Sequence, residues 1–108
     1  LYHIKDRLRH AFVNNKKIYI WGAGKMGLRV LQMLNIFCSD IVLEGFLDSR
    51  TRGCCEGYHI MDPIQVIKDV NSVIIVAILN GQQEVLNELN WAGRVYGEDY
   101  YLMVPRFW

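Results

Sequence analysis

The feature that most constrains this chain is a turn of three glycines between a short apolar run and a helix-like pattern. Lys17 to Trp21 (KIYIW) reads as a strand, and Lys25 to Phe37 reads as a helix with Met26, Val30, Met33, Leu34 and Phe37 on one stripe. Between and into them runs Gly22-Ala23-Gly24-Lys25-Met26-Gly27, a G-x-G-x-x-G spacing. Alone that spacing says little. After a strand and at the opening of a helix it implies a tight turn at Gly22, close backbone approach to a bound group at Gly24, and close helix–strand packing at Gly27. The backbone N–H groups at such a helix start, with the helix dipole, favour an anion such as a phosphate. A bare strand-to-helix turn explains the same glycines without a ligand, and Gly27 serves packing on either reading.

The rest of the chain alternates in kind. Leu1, Ile4, Leu8 and Phe12 fall at helical spacing among charges, predicting an N-terminal amphipathic helix ended by Asn14-Asn15. Ile41 to Leu47 reads as a second strand closed by Asp48-Ser49-Arg50. Thr51 to Gly57 reads as a polar loop and Tyr58 to Ile60 as a short extra strand. Asp62-Pro63 has the form of a helix start, with Asp62 as cap, and that helix is expected to stop near Asp69. Ser72 to Leu79 is nearly continuous Val and Ile, as in a central strand covered on both faces. Asn80-Gly81 breaks it. Gln82 to Trp91 reads as a helix stopped at Gly93, and Arg94 to Tyr96 with Tyr100 to Val104 as a last strand or two.

Strand and helix in alternation imply parallel strands joined by crossovers. The expected fold is α/β: a three-layer Rossmann-like parallel sheet of about four or five strands, with the amphipathic helix at its N-terminus. Its 108 residues are expected to make one domain, and the start at Leu1 suggests a segment of a longer protein.

In such a sheet the carboxyl ends of the strands border one crevice. Asp48, 21 positions after Gly27, stands at the end of the second strand, where a carboxylate accepts hydrogen bonds from ribose hydroxyls. Asp-Ser-Arg is equally good turn chemistry. Glu44 is the competing acid, placed deeper in the strand. Arg50 and Arg52 follow closely and either contact a phosphate or are solvated. Asn80 borders the same crevice, as a ligand contact or a turn residue. The candidate binding set is therefore Gly22, Ala23, Gly24, Lys25, Met26, Gly27, Asp48, Ser49, Arg50 and Asn80.

Composition narrows the function classes. A net charge of +1 gives no electrostatic footprint for nucleic acid, and runs such as VIIVAIL are too short to span a bilayer. Three cysteines, an odd number with Cys54 and Cys55 adjacent, favour free thiols and a cytoplasmic setting. His3, His10 and His59 supply no zinc-finger spacing. There is no nucleophile elbow, no H-E-x-x-H, no P-loop ending and no Tyr-x-x-x-Lys pair. The segment is expected to bind and not to catalyse, with no catalytic or metal residues of its own.

The stretches IYIWGAGKMG, GFLDSR and GYHIMDP, followed by a Val/Ile strand ending in Asn-Gly, resemble the small nucleotide-binding domains of bacterial surface-polysaccharide biosynthesis proteins. The domains most similar are the N-terminal nucleotide-sugar-binding domain of sialic-acid-type sugar acetyltransferases and those appended to glycosyltransferases, methyltransferases and nucleotide-sugar dehydratases. The resemblance covers about Lys17 to Tyr101. It implies a nucleotide-sugar such as a UDP-sugar held at Gly22, Gly24, Gly27 and Asp48 for a neighbouring catalytic transferase domain of the same chain, with homo-oligomers allowed. Those relatives often carry a second Asp where this chain has Ser49, and no hexapeptide repeat follows here. The alternatives are an NAD-binding domain of an oxidoreductase, and a Rossmann-like domain that serves protein contacts alone.

Overall fold

A computed structural model describes residues 2–103, arranged as six strands and three α-helices. The strands are β1 (Lys17–Trp21), β2 (Gly45–Leu47), β3 (Gly53–Cys55), β4 (Tyr58–Met61), β5 (Ser72–Val76) and β6 (Tyr100–Leu102); the helices are α1 (Tyr2–Val13), α2 (Lys25–Phe37) and α3 (Gln82–Trp91). The sheet order is β3-β4-β2-β1-β5-β6, and every pairing is parallel except β3 with β4. The chain winds outward from β1 through β2 to β4, then returns to β5 on the other side of β1. That reversal places a topological switch point between β1 and β5, with a crevice at their carboxyl ends.

Side-chain alternation in the two central strands builds both outer layers. Ile18 and Ile20 of β1 join Val73 and Ile75 of β5 on the face covered by α1 and α2, where Leu8, Val30, Leu31 and Leu34 complete the core. Tyr19, Trp21, Ile74 and Val76 point the other way, against Val85 and Leu89 of α3 and against Val66. Burial on both faces is why β5 reads as unbroken Val and Ile.

Four differences from the sequence reading have physical causes. The second strand is Gly45–Leu47 and not Ile41 to Leu47. The register pairs Tyr19 with Gly45, so residues 41–43 run off the amino end of β1 and have little strand to pair with, although Ile41 and Leu43 are buried. The supposed loop before Gly57 contains β3, an edge strand that hairpins onto β4. Its turn holds Glu56 at φ 51 and Gly57 at φ 81, a pair of left-handed residues that hairpin turns require.

The helix expected from Asp62 shrinks to a 3₁₀ turn, Pro63–Gln65. Asp62 caps it as expected, accepting from the Ile64 N–H at 3.0 Å. The β-branched Ile64, Val66, Ile67 and Val70 disfavour continuation. The last strand is Tyr100–Leu102 alone, with Tyr96 contributing one isolated bridge to Tyr100. The outermost positions of the expected elements, Leu1 and Val104, lie outside the described residues.

Candidate functional site

The glycine turn sits at the switch point. Gly22 adopts φ +128, and a Cβ there would lie 2.6 Å from both the Ala77 carbonyl oxygen and Ile78 Cγ2. Only glycine lets β1 pass this close to the end of β5. A Cβ on Gly27 would lie 1.7 Å from the Gly22 carbonyl oxygen, so helix α2 rests directly on the turn. Gly24 differs from both. Its backbone is extended, it is exposed, and a Cβ there would meet nothing within 4 Å. It is also the N-cap of α2 and supplies no side-chain hydrogen bond. The N-cap thus gives the first N–H groups of α2 no side-chain partner, and the Cβ side of Gly24 beside them is open.

Asp48 follows β2 immediately and is half-buried beside this turn. Its Oδ1 accepts from the N–H groups of Arg50 at 2.8 Å and Thr51 at 3.0 Å, while Oδ2 receives a long contact from the Ala23 N–H at 3.4 Å. Oδ1 thus closes the turn, as the turn reading expects, and Oδ2 faces the glycine loop with capacity to accept more. Burial pushes its pKa up, but the N–H groups of Arg50, Thr51 and Ala23, with the charge of Arg52, more than reverse this, and the carboxyl lies below its usual range. Glu44 donates its N–H to the Ile18 carbonyl at the amino side of β2 and is exposed, away from this end of the sheet.

The two arginines separate. Arg52 is tied down: it donates to the carbonyls of Asp48 at 2.7 Å and Thr51 at 2.9 Å and pairs with Asp62 at 2.8 Å. It braces the loop after β2 against the start of the 3₁₀ turn. Arg50 and Ser49 are exposed, and the Arg50 side chain makes no hydrogen bond among the described residues. Lys25 is exposed on the first turn of α2, whereas Met26 packs against the core and offers the site only its backbone. Asn80 is exposed in the turn between β5 and α3, where Gly81 takes φ 78. It shares the carboxyl edge of the sheet but has no hydrogen bond to the glycine turn or Asp48.

Sequence reasoning missed two neighbours. Ile78, half-buried just past the point where β5 stops, packs its side chain beside Gly22. Cys55, on the unrecognised β3, brings its Sγ to 4.0 Å from the Ala23 carbonyl. Burial first, and Glu56 second, push the Cys55 thiol up, which keeps it protonated and a poor nucleophile at neutral pH. Cys38, Cys54 and Cys55 are all free thiols. Among the described residues no group of three or more His, Cys, Asp or Glu could hold a metal ion, and no helix is long and apolar enough to cross a membrane. The arrangement sets side-chain-uncapped helix N–H groups beside a hydrogen-bond acceptor, Asp48 Oδ2.

No model of a known protein family matches the chain, and no curated protein is similar to it. Solved structures are similar to it, among them two of one protein. A crystal structure of RSP in complex with β-NADH aligns with TM-score 0.59 and 22% identity over 85% of this chain and 47% of that one. A crystal structure of RSP, described as a Rex-family repressor, aligns with TM-score 0.60 and 20% identity over 85% of this chain and 46% of that one. The chain thus spans about half the length of each. Neither is a polysaccharide-biosynthesis protein or a transferase, so that part of the sequence resemblance has no counterpart among them. At this identity the likeness speaks for the fold, and the chain is a Rossmann-like α/β domain.

Proposed function

We propose that the chain is a nucleotide-binding module that takes an NAD-type dinucleotide, with the pyrophosphate at the start of α2 and a ribose on Asp48. One observation carries the reading: the uncapped N-terminus of α2 opens onto the vacant side of Gly24, with Asp48 Oδ2 alongside. An anion and a diol are what those two features recognise. The solved structure with β-NADH supports the dinucleotide over the nucleotide-sugar, although a UDP-sugar carries the same diphosphate and ribose. The module performs no reaction of its own and serves a neighbouring domain of a longer chain.

Asp48 sets the ligand class. Its ionised carboxylate accepts from a free ribose diol and repels a 2′-phosphate. Arg52 does not offset that repulsion, because its guanidinium is already engaged with Asp62 and two carbonyls. NAD is therefore expected to bind more tightly than NADP. A hydrogen bond to a charged group contributes about 1.5–3 kcal/mol, so Asp48→Ala is expected to weaken NAD binding by about one to two orders of magnitude. With its pKa depressed, Asp48 stays charged well into the acid range, and affinity should be flat from about pH 8 to about pH 5. Calorimetric titration with NAD, NADH, NADP, UDP and a UDP-sugar checks all of this. Tighter binding of NADP, or undiminished affinity in Asp48→Ala, removes Asp48 from the site. Tighter UDP-sugar binding restores the sugar reading, and no binding by any of them leaves a domain of protein contacts.

A further inference from the structure

The crossover from β4 to β5, residues 62–71, carries a single 3₁₀ turn where the β1–β2 crossover carries a thirteen-residue helix. This half of the sheet face is consequently thinly covered, by Pro63 and Val66. Between this segment and α3 runs a groove of about 640 Å³ lined by Ile64, Ile67, Lys68, Glu88 and Trp91. A smaller hollow sharing Ile67, Lys68 and Ala92 continues it to Val70.

The apolar groups along this strip face solvent: Trp91 is 94% exposed, Val70 81% and Ile64 77%. A tryptophan alone offers about 150–250 Å² of surface. Ile64 and Trp91 line one groove and Val70 the hollow that continues it, so these exposed apolar groups form one strip and are not scattered singly.

We infer that this strip is the contact through which two copies of the chain associate about a two-fold axis. An isologous contact requires one patch to offer both a projection and the recess that receives it. Here both are present, Trp91 as the projection and the groove between residues 62–68 and α3 as the recess. The charges agree. Lys68 stands on one wall and Glu88 on the other, and among the described residues neither forms a salt bridge. A two-fold axis brings Lys68 of each copy to Glu88 of the other. The other acids along the strip are engaged within the chain: Asp62 pairs with Arg52, and the carboxylates of Asp69 and Asp99 accept from the N–H groups of Asn71 and Val95. A partner of uniform charge would satisfy one wall and oppose the other.

Sedimentation equilibrium tests the inference, with circular dichroism confirming that each exposed-site variant folds. The wild type is expected to show a concentration-dependent monomer–dimer equilibrium between about 1 and about 200 μM, a range suited to a modest interface. Trp91→Ala should weaken dimerisation by about 30-fold or more. Lys68→Glu and Glu88→Lys alone should each weaken it by about 5- to 10-fold, and together in one chain should restore it. The inference is overturned by a wild type that stays monomeric throughout, which would leave the strip to a different partner. A Trp91→Ala dimer as tight as wild type, or a double reversal no better than either single change, overturns it as well.

Discussion

Replacing Arg94 by Met is expected to lower the melting temperature by about 15–30 °C, a loss of about 4 kcal/mol. Arg94 is 8% exposed, yet it binds no carboxylate. Its guanidinium donates to the carbonyls of Val66, Ile67, Asp69, Ser72 and Asp99, at 2.7 to 3.1 Å, and to the Ser72 hydroxyl. Three of those carbonyls belong to the β4–β5 crossover. That crossover is not an α-helix and has only part of a ladder: the Val66 and Asp69 carbonyls each accept one backbone N–H, from Asp69 and Ser72, and that of Ile67 accepts none among the described residues. One planar group with five donors completes that partial ladder and ties the crossover to the starts of β5 and β6.

Removing that group leaves the Ile67 carbonyl without a donor and takes the second donor from those of Val66, Asp69 and Asp99, which keep one backbone N–H each; hydrogen bonds to a charged group contribute about 1.5–3 kcal/mol apiece. Met keeps the apolar stem and deletes the donors, so lost packing is a minor part of the effect. Arg94→Lys should fail almost as badly, because an ammonium has three donors and no plane to spread them in. Burial lowers the Arg94 pKa, with Asp99 and Asp69 partly restoring it, which is the expected sign for a charge held by dipoles and not by an ion pair. Thermal denaturation of both variants checks the role. Melting within about 3 °C of wild type in both would show that the crossover is held by its apolar contacts.

The parts of the fold that announce themselves in sequence are those whose signals are local. Helices α2 and α3 match their sequence limits to the residue, because Gly24 and Gly81 mark their starts and an apolar stripe marks their length. Strand β1 is equally plain, and β5 is recognisable to within three residues. What was hidden depends on partners far along the chain. The amino limit of β2 is set by its register on β1, which no residue within Ile41 to Leu47 encodes. Strand β3 was masked because Glu56-Gly57 lacks the Asn or Asp usual in such a turn. Arg94 has no sequence signature, since an arginine after a helix-stopping glycine is ordinarily solvated. Within the candidate site, the closeness of the glycine turn and Asp48 was legible from spacing, while the separation of Arg50 from Arg52 required knowing that Asp62 stands within reach of one of them.

Two glycines of the turn, Gly27 and Gly24, should respond in opposite ways to substitution. Gly27→Ala is expected to cost about 3 kcal/mol or more and to lower the melting temperature by about 12–25 °C. Its new Cβ would lie 1.7 Å from the Gly22 oxygen and 2.9 Å from the Gly22 carbonyl carbon, and backbone atoms cannot rotate aside. Relief requires α2 to lift from β1, which loosens Val30, Leu31 and Leu34 against Ile18 and Ile20. Gly24→Val should leave the melting temperature within a few degrees of wild type, because its φ of −95° suits any residue and its Cβ meets open space. That open space is the position proposed for the phosphate, so the same substitution should weaken NAD binding by about 100-fold or more. Measuring melting and NAD titration on both variants separates packing from binding at a single turn. A Gly24→Val protein that binds NAD like wild type would place the ligand elsewhere on the sheet edge and leave the glycine turn a purely structural joint.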